Sequence, residues 1–186
     1  MDRSTAFAPL RFSRVCEERL ADLMSFLTAE RWEYFGRPDM TEERVRASWD
    51  AGDYRAPGCE GFFIEDDRGA VVGLIRLFDL EDDNVLFDIR LTERVRGRGF
   101  GTTSVRWIVD HLFARADIVR IDANTRHDNV AMRATLRRCG FVKEGHHRAA
   151  RADGHDSVSY ALLRRDWESG TTTPVRWDDA PDIDAR

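Results

Sequence analysis

Between residues 85 and 114 a strand pattern passes through a glycine-rich turn directly into an amphipathic helix, and few architectures accommodate that order. Val85-Leu86-Phe87-Asp88-Ile89-Arg90-Leu91 is mostly branched and aromatic, as a strand requires. Arg96-Gly97-Arg98-Gly99-Phe100-Gly101-Thr102 follows, and from Gly99 to Ala114 the apolar residues Val105, Ile108, Val109, Leu112 and Phe113 share one helical face. Glycines at 97, 99 and 101 let the backbone approach a ligand closely. The first helical turn adds unpaired N–H groups and the positive end of the helix dipole. A phosphate or pyrophosphate fits there, with Arg96 and Arg98 adding charge nearby.

Two common phosphate motifs do not fit. In G-x-G-x-x-G the third glycine would fall on Thr102, and no strand with the expected acid follows. The Gly-Lys-Ser/Thr of a nucleotide phosphate loop is absent from the sequence at this turn. An arginine-glycine RNA element would be repeated and unstructured, whereas this turn sits between a strand and a helix.

The flanking chain alternates in the same grammar. A first strand is expected at Leu10 to Val15 and a helix from Glu17 to Ala29, with Leu20, Leu23, Met24 and Leu27 at helical spacing. The aromatic stretch from Arg31 to Asp39 reads as a loop, and Thr41 as the N-cap of a second helix reaching Ala51. Gly61 to Glu65 and Val71 to Leu77 form a hairpin through Asp66-Asp67-Arg68-Gly69. Val119 to Ala123 is a strand, and Asn129 to Cys139 a helix stopped by Gly140. Phe141 onward and Ser157 to Leu163 close with a hairpin around Asp153-Gly154. The order β-α-α-β-β-β-α-β-α-β-β makes an α/β (α+β) sheet with one strand-turn-helix crossover in its middle.

A chain of 186 residues suits one domain, assigned here to residues 1–168. Residues 169–186, with Asp178, Asp179, Asp182 and Asp184, read as an acidic, mobile tail. A net charge of -5 argues against nucleic acid or an anionic membrane as partner. No apolar run suggests a signal peptide or a membrane span. Cys16, Cys59 and Cys139 are odd in number and unpaired in spacing, so a cytoplasmic protein without a metal site is expected.

The turn resembles the acetyl-CoA signature of the GNAT superfamily, Arg/Gln-x-x-Gly-x-Gly/Ala, matched by Arg96, Gly99 and Gly101. Asn129 at the start of the next helix and Gly140-Phe141 after it are similar to a second family motif. From Leu86 to Glu144 the chain looks like the Rim-type protein N-acetyltransferases and equally like the aminoglycoside 6'-N-acetyltransferases. The resemblance implies a mostly antiparallel sheet of about seven strands flanked by about four helices and splayed in the middle. It implies acetyl-CoA held by the backbone of Ile89, Arg90 and Leu91, by the N–H groups of Arg96, Gly97, Arg98, Gly99, Phe100, Gly101 and Thr102, and by Asn129. It implies transfer of acetyl to a primary amine in a ternary complex, by a monomer or homodimer. The amine could belong to a protein N-terminus, a lysine or a small molecule such as an aminosugar. A CoA-binding module without transfer activity is the alternative.

The attacking amine must lose a proton. Asp88 is a carboxylate in an otherwise apolar strand and can act as base or amine anchor. It could instead pair with Arg90 or another arginine and merely order the strand. The family's tyrosine and serine acids are replaced by Leu136 and Met132. Tyr160, His127 and His146 are then candidates for the acid, or water serves directly. His146 and His147 must point to opposite faces, so only one can reach a cleft. Trp32, Tyr34 and Phe35, with His146, are candidates for binding the acceptor, and core packing is the alternative for the aromatics.

Overall fold

Alternation along the strands sorts the side chains onto two faces, and a separate core forms on each. The computed structural model describes residues 10–175; the acidic cluster from Asp178 to Asp184 and the first nine residues lie outside that range. The strands are β1 (Arg11–Arg14), β2 (Glu60–Glu65), β3 (Val71–Phe78), β4 (Asn84–Leu91), β5 (Arg120–Arg126), β6 (Val142–His147) and β7 (Ser157–Leu163). They form one seven-stranded sheet in the order β1-β2-β3-β4-β5-β7-β6. All neighbours run antiparallel except β4 and β5, which are parallel.

The helices are α1 (Leu20–Thr28), α2 (Glu42–Asp50), α3 (Phe100–Phe113), α4 (Val130–Arg138) and α5 (Arg164–Ser169). Helix α5 is an addition to the sequence expectation: its short, charged stretch carries little helical signal by itself. Helices α1 and α2 bury Leu23, Phe26, Leu27, Val45 and Trp49 with Phe63 and Leu74 of the sheet. On the other face α3 and α4 bury Val105, Ile108, Leu112 and Leu136 with Phe62, Ile75, Val85 and Phe87. Thr41 caps α2, its side chain accepting from the Arg44 N–H, as its sequence position predicts. Gly140 follows α4 at φ +87°, the left-handed conformation of a glycine stop.

The pairing of β4 matters most for the site. Its contact with β3 runs from Phe78↔Leu86 to Gly73↔Leu91, whereas it meets β5 only from Asn84↔Arg120 to Leu86↔Asp122. Beyond Leu86 the two parallel strands diverge, so one edge of residues 87–91 is free of a strand neighbour. Gly73 holds β3 close to this segment. A Cβ there would stand 2.7 Å from Ile64 Cδ1 and Leu91 Cδ2 and 2.8 Å from the Arg90 carbonyl oxygen, so only glycine fits.

Candidate active site

A cleft of about 660 Å³ opens where β4 and β5 part, and it reaches both faces of the sheet's midline. One end is the glycine turn at the start of α3, and the other is the aromatic loop between α1 and α2.

At the first end, Gly97 and Gly99 adopt φ of +72° and +84°, which L-residues avoid. Gly99 is the N-cap of α3 and brings no side chain to the orphan N–H groups, so those donors remain open to a ligand. A Cβ at Gly97 would meet nothing within 4 Å, so the turn is open there and its glycine is required by φ alone. Arg96 sends Nε to the Leu91 carbonyl at 3.0 Å and lies 3.6 Å from a Glu30 carboxylate oxygen. Both Glu30 oxygens also accept from the Glu93 N–H, which fixes the approach to the turn. Donors, positive charge and space at this end fit a pyrophosphate.

Asn129 lines the same cleft and caps α4, its Oδ1 accepting from the Met132 N–H at 3.1 Å. That bond occupies the carbonyl side of the amide and leaves the NH₂ side for a ligand. Ile89, Arg90, Leu91, Arg96, Gly97, Gly99, Gly101 and Thr102 all line the cleft, as the sequence reading requires. Arg98 and Phe100 do not. Arg98 is exposed, and the Phe100 ring packs against the core, so only their backbone positions belong to the turn.

At the second end, Trp32, Tyr34 and Phe35 line the cleft. Trp32 is also core, with its indole N–H donating to the Leu27 carbonyl, so core packing, one of its two alternatives, is seen directly. The loop is tied across the cleft by two arginines. Arg126 of β5 donates to the Glu33 carbonyl at 3.2 Å and lies 5.4 Å from the Tyr34 ring centroid. The same nitrogen reaches Asp153, and its other two reach Asp128 and His155. Arg151, before β7, donates to the Tyr34 carbonyl at 3.2 Å.

Asp88 and Arg90 stand on the same face of β4, two residues apart. Asp88 is not alone in an apolar setting, as the strand pattern predicts. Arg76, directly opposite on β3, places Nε 3.1 Å and a terminal nitrogen 3.0 Å from Asp88 Oδ2. Asp53 holds the other side of Arg76 at 3.3 Å. Arg76 is the charged residue in the Val71 to Phe78 run; the run itself is readable, but its cross-strand register is not. Asp88 Oδ1 is buried in the cleft wall with no hydrogen-bond partner among the described residues.

Two expected residues are elsewhere. Tyr160 is 1% exposed in the α3–α4 core, its hydroxyl accepting from Arg133 Nε at 3.4 Å. It is not part of the cleft wall, although Ala123, its partner across the β5–β7 ladder, is. His146 lies on β6, the outermost strand, hydrogen-bonded to Asp156 at 2.7 Å and stacked on His127. It too is outside the cleft wall. The hydroxyl groups that line the cleft belong to Tyr34, Thr102, Thr125 and Thr135.

A splayed parallel pair with a glycine turn at its mouth joins an open anion-binding turn and an aromatic wall in one cleft. The chain matches the Acetyltransferase (GNAT) domain family over residues 10–142 and belongs to it. It is an N-acetyltransferase that transfers acetyl to an amine. It is 28% identical over 166 residues to YdaF of Bacillus subtilis (strain 168), provisionally named a ribosomal N-acetyltransferase, covering 81% of this chain and 87% of that protein. Among solved structures, spermidine N-acetyltransferase from Vibrio cholerae in complex with CoA and spermine superposes with a TM-score of 0.74. Its identity is 19%, over 86% of this chain and 98% of that one. Aminoglycoside acetyltransferase AAC(6')-Ib in complex with coenzyme A gives a TM-score of 0.72 at 19% identity, over 87% and 98% of the two chains.

Proposed function

We propose that the acetyl donor is acetyl-CoA and that its acetyl passes directly to an amine held on Asp88. The observation that carries this reading is the continuity of one cleft from the uncapped start of α3, along the free edge of residues 87–91, to the Asp88 carboxylate. The N–H groups between Gly97 and Thr102, with Arg96, would hold the pyrophosphate. The free edge of β4 would hydrogen-bond the pantetheine amides as a strand does, and the NH₂ of Asn129 would touch the arm. Acetyl-CoA supplies the activated acyl group: an N–C bond replaces the C–S bond, and the ammonium's surplus protons leave as the thiol hydrogen and one free proton.

Asp88 anchors the amine through Oδ1, the oxygen that Arg76 leaves unpaired. Arg76 keeps the carboxylate in place but also counters its charge. Asp88 therefore serves as an orienting anchor, with solvent at the cleft mouth as the proton's destination. Trp32, Tyr34 and Phe35 exclude water around the carbon next to the amine.

The test has two stages. Acetyl-CoA is expected to raise the melting temperature, because a ligand selective for the native state must do so. Thiol release is then followed with a panel of peptides, diamines, amino acids and aminoglycosides. Absence of any melting shift at millimolar acetyl-CoA removes the donor assignment. A shift without thiol release from any acceptor leaves a binding module.

A further inference from the structure

Resting on the acceptor site proposed above, we infer that Arg90 is a specificity-determining residue. It reads an oxygen next to the reacting amine and selects acceptors with a carbonyl or carboxylate on the adjacent carbon over polyamines.

Arg90 lines the acceptor end of the cleft, and its side chain is 11% exposed. Its guanidinium carbon sits 3.9 Å above the Phe35 ring centroid and 5.9 Å from that of Trp32. Stacking of this kind fixes the plane of the group and leaves its edge for hydrogen bonds. Yet Nε is buried without a partner among the described residues, and the nearest carboxylate oxygen, Asp88 Oδ1, is 3.9 Å from a terminal nitrogen, too far for a hydrogen bond. A buried, permanently charged donor group in a ligand cleft asks for an acceptor atom. Asp88 Oδ1, equally unpaired, asks for a donor. The two orphaned atoms belong to residues two apart on one strand face, so they call for a ligand with a donor and an acceptor a few bonds apart. An ammonium with a neighbouring carbonyl or carboxylate oxygen has that shape. A polyamine offers only donors, and its ammonium on Asp88 would sit beside the Arg90 cation in a partly desolvated pocket, where like charges repel strongly.

The same neighbourhood agrees with this balance of charge. Arg76 and Arg90 face Asp53 and Asp88 across the α1–α2 side of the sheet. Adding an ammonium alone leaves one excess positive charge and an ammonium with a carboxylate leaves none, while a neutral carbonyl gives Arg90 its acceptor without changing the count.

The experiment compares kcat/KM for four acceptors with acetyl-CoA saturating: an alanyl peptide, free alanine, an alkylamine lacking the carbonyl, and spermidine. The wild type is expected to favour the alanyl compounds at least tenfold over the alkylamine and over spermidine. The ratio of peptide to free amino acid then tells whether a carbonyl or a carboxylate is read. Arg90→Gln is expected to collapse that preference by about tenfold while the acetyl-CoA melting shift is kept, and Arg90→Lys to restore part of it. A wild-type preference for spermidine or the alkylamine overturns the inference, and needs no variant. So does an equal loss in Arg90→Gln for all four acceptors. Thiol release from none of the four, with release from another amine of the wider panel, also overturns the inference; release from no amine of that panel would sink the transfer reading itself, a distinct outcome.

Discussion

Arg76 and Asp88 face one another across the β3–β4 ladder, and Arg76 reaches Asp88 Oδ2 with two nitrogens while Oδ1 stays bare. The pairing turns a carboxylate in an apolar strand into an oriented one, with its second oxygen left unpaired in the cleft wall.

Removing the charge at Asp88 should therefore uncouple the amine from the donor. Asp88→Asn is expected to lower kcat/KM for amines at least tenfold, about 1.4 kcal/mol or more. The acetyl-CoA melting shift should survive. Unchanged turnover would dismiss Asp88 from the scheme. Arg76→Gln should also cost activity, chiefly by raising the KM for the amine as the carboxylate loses its fixed orientation.

The glycine turn is tested by Gly99→Ala. At φ +84° an L-residue is strained by roughly 1–2 kcal/mol, and relaxing that strain would reorient the first N–H groups of α3. Calorimetric titration should show CoA affinity lowered at least tenfold. Affinity equal to wild type would mean that these N–H groups are not the phosphate site.

Gly73→Ala probes the packing behind the free edge of β4. The added methyl would press on Ile64, Leu91 and the Arg90 carbonyl, and overpacking of this kind costs about 1–3 kcal/mol. Thermal unfolding should show a clear drop in melting temperature. A melting curve superimposable on wild type would show that the strand yields without cost.

Arg126→Met keeps the length of the stem and removes the bonds to Glu33, Asp128 and Asp153. The KM for the amine should rise several-fold while CoA affinity is held. If CoA affinity falls instead, Arg126 braces the donor end and not the acceptor wall.

Stability at low pH should depend on Asp66. Its Oδ1 accepts from the Ala70 and Arg68 N–H groups and its Oδ2 from Arg94. The Ala70 bond, foremost, holds the carboxyl below the usual range. A folded value below the unfolded one means that this contribution is complete above the unfolded pKa of about 3.9. It disappears as pH falls through the lower, folded value. Asp66→Asn should lower the melting temperature at neutral pH and flatten its decline between about pH 5 and pH 2. Parallel declines in the two proteins would refute the assignment.

The elements were legible because their periodicity is local. The strand at 85–91, the turn at 96–102 and the helix to Phe113 are each written in consecutive residues, and Thr41 and Gly140 mark their helices where expected. What escaped depends on register between distant segments. The Arg76 side chain becomes meaningful only when β3 is aligned with β4, and Tyr160 is buried in the core by packing between distant elements that no spacing records. Arg126 and Arg151 look like solvated charges until the fold brings them onto the backbone of the aromatic loop.

Those two arginines have a consequence for engineering. The wall of the proposed acceptor pocket includes residues 33–35, held by side chains from 126 and 151, on opposite halves of the polypeptide. Grafting the aromatic loop of another acetyltransferase into this one would import new side chains without the clamps that hold them. Substrate preference here should move only when both segments are exchanged together, so recombination breakpoints between them should yield folded enzymes with poorly defined acceptors.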